Sequence, residues 1–335
     1  WCMKTLQNNF VEAIGNTPLF KLKAASEITG CNIYGKAEYL NPGGSVKDRA
    51  ALALIRDAEE KKLISKGGTI VEGTAGNTGI GLCLLGNSIG YKTIIVMNDN
   101  QTQEKKDLLR NIGADLRLVP PKPYKDENNF VKYAGRLADE LKSSNNHGVV
   151  WANQFDNTAN MKGHYETTGP EIWEQTDGKV DGFVCSSGTG GTIAGVSSFL
   201  KEKNKDIKIY LSDPSGSSLY NYVENGELKS EGNSITEGIG SSRITANFAK
   251  ATIDGAFSIS DHESLPVLFD LIEKEGLSLG TSCGVNIAGA IRLGKLLGPG
   301  KTIVTILCDK SDKYNSKLFN KSFLQEKGLP YPHWI

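Results

Sequence analysis

The sequence predicts an α/β protein built as two open twisted sheets flanked by helices. Short β-rich runs alternate with helical periods almost throughout. The strand runs are continuously apolar, as parallel strands buried on both faces require, and the helices between them supply right-handed crossovers. At 335 residues the chain exceeds one ordinary core. Two domains are expected, 1–150 and 151–335, with part of residues 1–40 packing on the second.

Taken in order, residues 69–71 read as a strand, followed by a glycine loop and a helix through Ile80, Leu84 and Leu85. A strand at 93–97 precedes a charged helix over 103–110. A third strand, 116–119, is stopped by Pro120 and Pro121, and a helix over 130–141 leads into a strand at 149–151. In the second half, 182–185 is a strand and 192–200 a helix after a glycine-rich turn. Residues 207–211 form a strand, followed by a long irregular stretch over 213–245. After a strand at 256–259, Ser260 and Glu263 have capping-box spacing for a helix that ends near Gly276. A helix over 285–297 and the strand 302–307, the most apolar in the chain, complete the pattern.

Hydrophobic residues make up 39% and charged residues 23%, which places the chain among soluble globular proteins. Its formal net charge of zero argues against a broad nucleic-acid footprint. The six cysteines are scattered, with no C-x-x-C pair and no cysteine/histidine cluster at metal spacing, so no metal site and a reducing compartment are expected. No stretch is long and apolar enough to cross a membrane, and the start lacks a secretory pattern. The expected location is the cytoplasm, or the mitochondrial matrix if a transit peptide preceded Trp1.

Three loops carry chemistry. In NPGGSVKDR (41–49), Ser45 caps a helix whose Ala51, Leu54, Ile55 and Ala58 share one face. Lys47 then lies in the first turn, where the macrodipole disfavours a cation, while Asp48 beside it is favoured. A lysine against its local preference is a functional suspect, although from this segment alone a solvated surface lysine is the favoured reading. In EGTAGNTGIG (72–81), a strand-to-helix loop turns the amides of residues 74–78 toward an anion. In SSGTGGTIAG (186–195), three glycines with Thr189 and Thr192 make an amide-rich cup for a phosphate dianion. A dinucleotide fingerprint is the competitor, with Asp213 near the place of a ribose-binding acid. However, Ile193 occupies its third glycine position, and the P-loop G-K-[ST] ending is missing.

Together and in this order, the loops resemble the cysteine synthase and cystathionine β-synthase family of pyridoxal-phosphate enzymes, with the tryptophan-synthase-β type of fold (fold type II). The likeness runs from GNTPL at 15–19 through Cys308 and Asp309. It implies pyridoxal 5′-phosphate held as a Schiff base on Lys47, with Gly188, Thr189, Gly190, Gly191 and Thr192 as the phosphate cup. Asn77 matches the residue bonding the cofactor's ring hydroxyl, and Ser282 the serine facing the pyridine nitrogen. Thr74, Ala75, Asn77, Thr78 and Gln154 match substrate-carboxylate contacts, and Gly238 matches a glycine lining the substrate side. Ala75 stands where the family commonly has serine.

The implied reaction is β-replacement by a cysteine synthase, with O-acetyl-L-serine and sulfide giving L-cysteine and acetate. Lys47 serves as general base once free of the cofactor, and a hydroxyl at Ser282 leaves the ring nitrogen largely neutral. Cystathionine β-synthase or β-cyanoalanine synthase activity is the alternative, and a catalytically silent cofactor-binding regulator the reading from another class. A homodimer and serine acetyltransferase are the implied partners. Outside these loops the structural readings win. His164 is expected to make a structural hydrogen bond, Cys83 and Cys185 to be core residues, and Arg243 to brace its loop. The apolar end, 331–335, fits packing on its own domain or on a second subunit.

Overall fold

A computed structural model describes residues 6–335, so Trp1 and Cys2 lie outside the described residues. The elements run β1 (Leu19–Lys21), α1 (Lys23–Thr29), β2 (Asn32–Ala37), α2 (Lys47–Glu60), β3 (Thr69–Gly73), α3 (Asn77–Ile89), β4 (Lys92–Asn98), α4 (Gln103–Asn111), β5 (Asp115–Val119), α5 (Phe130–Glu140) and β6 (Val149–Trp151). They continue as α6 (Ala159–Glu166), α7 (Thr168–Gln175), β7 (Gly182–Cys185), α8 (Gly191–Lys203), β8 (Lys208–Pro214), α9 (Leu219–Asn225), β9 (Gly255–Ile259), α10 (Asp261–Glu275), α11 (Thr281–Leu297) and β10 (Thr302–Leu307). Two short helices, Asn315–Leu318 and Lys321–Glu326, follow.

A four-stranded parallel sheet has the order β5-β4-β3-β6, and a six-stranded sheet the order β1-β2-β10-β7-β8-β9. The larger sheet is parallel except for β1, which pairs antiparallel with β2 at its edge. Apolar runs build both cores. Every residue of β3 is buried, and five of the six residues of β10 are. Residues 19–37 cross over to join the larger sheet, so β2 of the chain's beginning lies beside β10 near its end.

The sequence pattern misses β1, α1 and β2, and also α9, which sits inside the stretch expected to be irregular. The capping box at Ser260 is not made. Ser260 occupies the N-cap position without a side-chain bond: the Glu263 N–H donates to Ser260 O at 3.1 Å, and the Glu263 carboxylate pairs with Arg292 at 2.8 and 2.5 Å. The apolar face of α2 is buried as expected, through Ala51, Leu54, Ile55 and Ala58. Phe269 meets Trp334 edge to face, and Ile335 packs on the core beneath, so the chain end folds onto its own molecule.

Candidate active site

Between the two sheets lies a cavity of about 420 Å³, within the range that holds small ligands. Parallel strands end on it, and the loops following them supply its walls. The loop after β3 carries Thr74, Ala75, Asn77 and Thr78; the segment after β6 carries Gln154; the loop after β7 carries Gly188, Thr189, Gly190 and Thr192. Gly238, Ser282 and Lys47 complete the expected set on the cavity wall. Gly191 does not reach it. Its α-carbon packs on Asn160, and its amide is spent on Thr189 Oγ1 at 3.2 Å.

The NPGGS turn places Lys47. Gly43 N–H donates to Asp48 Oδ2 at 2.6 Å, and Ser45 Oγ accepts from Lys47 N at 3.1 Å, which fixes the first turn of α2. Lys47 is half-buried and makes no ion pair among the described residues. Desolvation holds its amine below the ordinary lysine range, against the Cys308 and Cys185 thiols and the Asp309 carboxylate, which pull it upward. Asp48, buried behind it, is pushed up to about 7 by desolvation.

The cup after β7 shows open donors. The amides of Ser187, Gly188, Thr189 and Gly190 have no acceptor among the described residues, and the buried Ser187 Oγ has no partner. Gly190 is in the left-handed region at φ 87°, with the Phe248 backbone 2.5 Å from where a Cβ would stand. Gly188 has no room either, because Gly238 O occupies that space. Behind the cup, buried His164 bonds Thr168 Oγ1 at 2.7 Å and Thr192 Oγ1 at 3.3 Å. Desolvation holds its imidazole well below the usual range, so it stays neutral in the structural role expected. An uncommitted amide cup at the start of α8 suits a phosphate, and an unpaired amine facing the same cavity suits a carbonyl. The residues present therefore fit pyridoxal phosphate.

The loop after β3 is more committed than its sequence implies. Thr74 N donates to Val96 O at 3.0 Å, and Gly76 N to Thr74 Oγ1 at 3.0 Å. The amides of Ala75, Asn77 and Thr78 remain for a carboxylate. Thr78 Oγ1 donates to Gln154 Oε1 at 2.6 Å, and Gln154 Nε2 to Gly73 O at 3.2 Å. One Gln154 N–H is left for a ligand. Beneath them Glu72 accepts from Gly73 N and Gln154 N, both at 2.8 Å, and complete burial pushes its carboxyl up to about 8.

Several wall residues escape sequence reading. Cys185 is buried as expected, yet it also lines the cavity, and desolvation pushes its thiol well up. Lys105 and Glu237, 3.7 Å apart and both buried, face the cavity together. The charged helix face around Lys105 reads as solvated, and only the fold turns that residue inward. Arg243 braces the mouth. Its guanidinium pairs with Asp156 at 3.0 and 2.9 Å and lies over Tyr124, 4.0 Å from the ring centroid.

The comparisons agree with this geometry. The family described as pyridoxal-phosphate dependent enzyme matches residues 11–309. Cysteine synthase 1 of Emericella nidulans is 50% identical over 327 residues, covering 96% of this chain and 87% of that one. Cysteine synthase of Dictyostelium discoideum is 46% identical over 336 residues, covering 97% and 87%. Among solved structures, O-acetylserine dependent cystathionine beta-synthase from Helicobacter pylori superposes with a TM-score of 0.82 at 35% identity, covering 93% of this chain and 98% of that one. The chain thus belongs to the family of pyridoxal-phosphate dependent enzymes.

Proposed function

We propose that the protein is a cysteine synthase that replaces the acetoxy group of O-acetyl-L-serine with sulfide, giving L-cysteine and acetate. One observation carries the reading: the Lys47 amine, without an ion pair among the described residues, shares a cavity with the open amides of the Gly188–Gly190 cup. Lys47 would hold the cofactor, with Gly188, Thr189, Gly190 and Thr192 at its phosphate, and Asn77 and Ser282 at its ring. Pyridoxal phosphate, when bound, supplies an electron sink for the pair left at the substrate's α-carbon.

The protein's own part is position and proton transfer. The amides of Ala75, Asn77 and Thr78, with Gln154 Nε2, hold the substrate carboxylate, and Thr74 and Gly238 shape the substrate side. Lys47 Nζ, whose proton affinity desolvation lowers, takes the α-proton and later returns it. Purified protein assayed with O-acetylserine and sulfide should form cysteine. Parallel assays with serine, cyanide or homocysteine rank the β-cyanoalanine and cystathionine readings, and no β-replacement product from any pair ends the assignment.

The resemblance further supports a homodimer, checked by light scattering, and binding of serine acetyltransferase, checked by co-elution. No helix among the described residues is long and apolar enough to cross a membrane. The five described cysteines are free, which fits the cytoplasm or the mitochondrial matrix. A relative in Saccharomyces cerevisiae carries the name putative mitochondrial cysteine synthase, and cell fractionation decides between the two compartments.

A further inference from the structure

Asn77 lines the cavity, and its amide is held from behind by two ionised groups. Lys313 Nζ donates to Asn77 Oδ1 at 2.9 Å, while Asn77 Nδ2 donates to Asp309 Oδ2 at 2.8 Å. Lys313 and Asp309 lie 3.6 Å apart, with side chains 8% and 0% exposed, and Tyr314 OH adds a bond to Asp309 Oδ2 at 2.6 Å. Neither Lys313 nor Asp309 is on the cavity wall.

Charge decides which way this amide points. Rotated by half a turn, its NH2 would face the ammonium and its oxygen the carboxylate, so both charge-assisted bonds would be lost. An asparagine amide has two N–H donors and two carbonyl lone pairs. The clamp uses one of each, which fixes the directions in which the remaining N–H and the remaining lone pair point. The clamp also crosses the molecule. Asn77 opens α3 beside the small sheet, whereas Asp309 and Lys313 follow β10 of the large sheet.

We propose that Lys313, acting with Asp309, is a positioning residue that fixes Asn77 as a hydrogen-bond donor toward an oxygen of the molecule bound in the cavity. The inference rests on the reading of that cavity as the pyridoxal-phosphate site. Lys313 touches no ligand and works only through Asn77.

A double-mutant cycle isolates this role. Cofactor-free wild type, Lys313→Met, Asn77→Ala and the double variant are titrated with pyridoxal phosphate and followed by absorbance. Thermal midpoints are recorded alongside. Lys313→Met should weaken uptake on the order of tenfold, the size of one lost charge-assisted bond. In the Asn77→Ala background the same change should cost less than about twofold. Lys313→Arg, which keeps a cationic donor, should restore most of the affinity, and Lys313→Gln replaces the methionine variant if that one does not fold. Equal losses in both backgrounds, or no loss in either, overturn the proposal while leaving the cofactor reading intact. Wild-type protein that takes up no pyridoxal phosphate overturns both.

Discussion

At the scale of the residue, the cavity is governed by which side chains are denied water and which are denied partners. Lys47 is half-buried and has no ion pair among the described residues, and desolvation lowers the proton affinity of its amine. Lys47→Ala is expected to lower turnover by at least 10²–10⁴-fold, the usual contribution of a positioned acid–base group. The amide cup should still retain part of the cofactor affinity, measured by equilibrium dialysis. Turnover near normal in that variant would sink the assignment. Glu72 shows the opposite effect of burial. Its folded pKa of about 8 lies above the unfolded carboxylate value, so between these limits the native state binds more protons than the unfolded chain. Stability from this group therefore falls as pH rises from about 5 to 8. Glu72→Gln removes the titration, at the cost of a bond to Gly73 N or Gln154 N. Denaturant unfolding at stepped pH should show wild type losing stability relative to the variant by a few kcal/mol across that window. Parallel pH profiles for the two proteins would contradict it.

At the scale of the element, the loops at strand ends hold geometry that side-chain size alone can destroy. Gly190 combines a φ of 87° with the Phe248 backbone at 2.5 Å from a would-be Cβ. Gly190→Ala should displace the start of α8 and weaken pyridoxal-phosphate uptake by one to two orders of magnitude, read by absorbance titration. Its expected cost in unfolding free energy is about 1–3 kcal/mol. What the sequence makes legible follows from the same scale. Strands such as β7 and β10 are apolar runs that stand out without context, and the three loops announce themselves by glycine and hydroxyl spacing. By contrast β1 is only three residues and sits on an edge, and β2 contains Gly35 and Lys36, which dilute its apolar signal. Lys36 is buried because Glu171, 135 residues later, takes its charge at 2.9 Å. Lys105 and Glu237 are hidden for the same reason. A charged residue reads as solvated until the fold supplies its partner, and these partners come from distant elements.

At the scale of the whole molecule, a buried ion network ties the helix bearing Lys47 to the large sheet. Arg49 of α2 pairs with Glu38 through Nε and through a second bond at 3.0 Å, and with Glu171 of α7 at 2.5 and 3.0 Å. Lys36 of β2 completes a set of two cations and two anions, and Thr17 bonds Glu38 Oε2 at 2.6 Å. The charges balance, so no member is left uncompensated, and the expense of burial is recovered only while all four remain. Arg49→Leu would strand Glu38, which is fully buried, beside a half-buried Glu171 still paired to Lys36. Removing one partner of such a network costs about 3–5 kcal/mol. Adding Glu38→Gln should recover part of that loss, since the stranded charge is then gone. Urea unfolding of the three proteins measures both effects, and an Arg49→Leu loss that Glu38→Gln leaves unchanged would show that Glu38 finds water once its partner is removed.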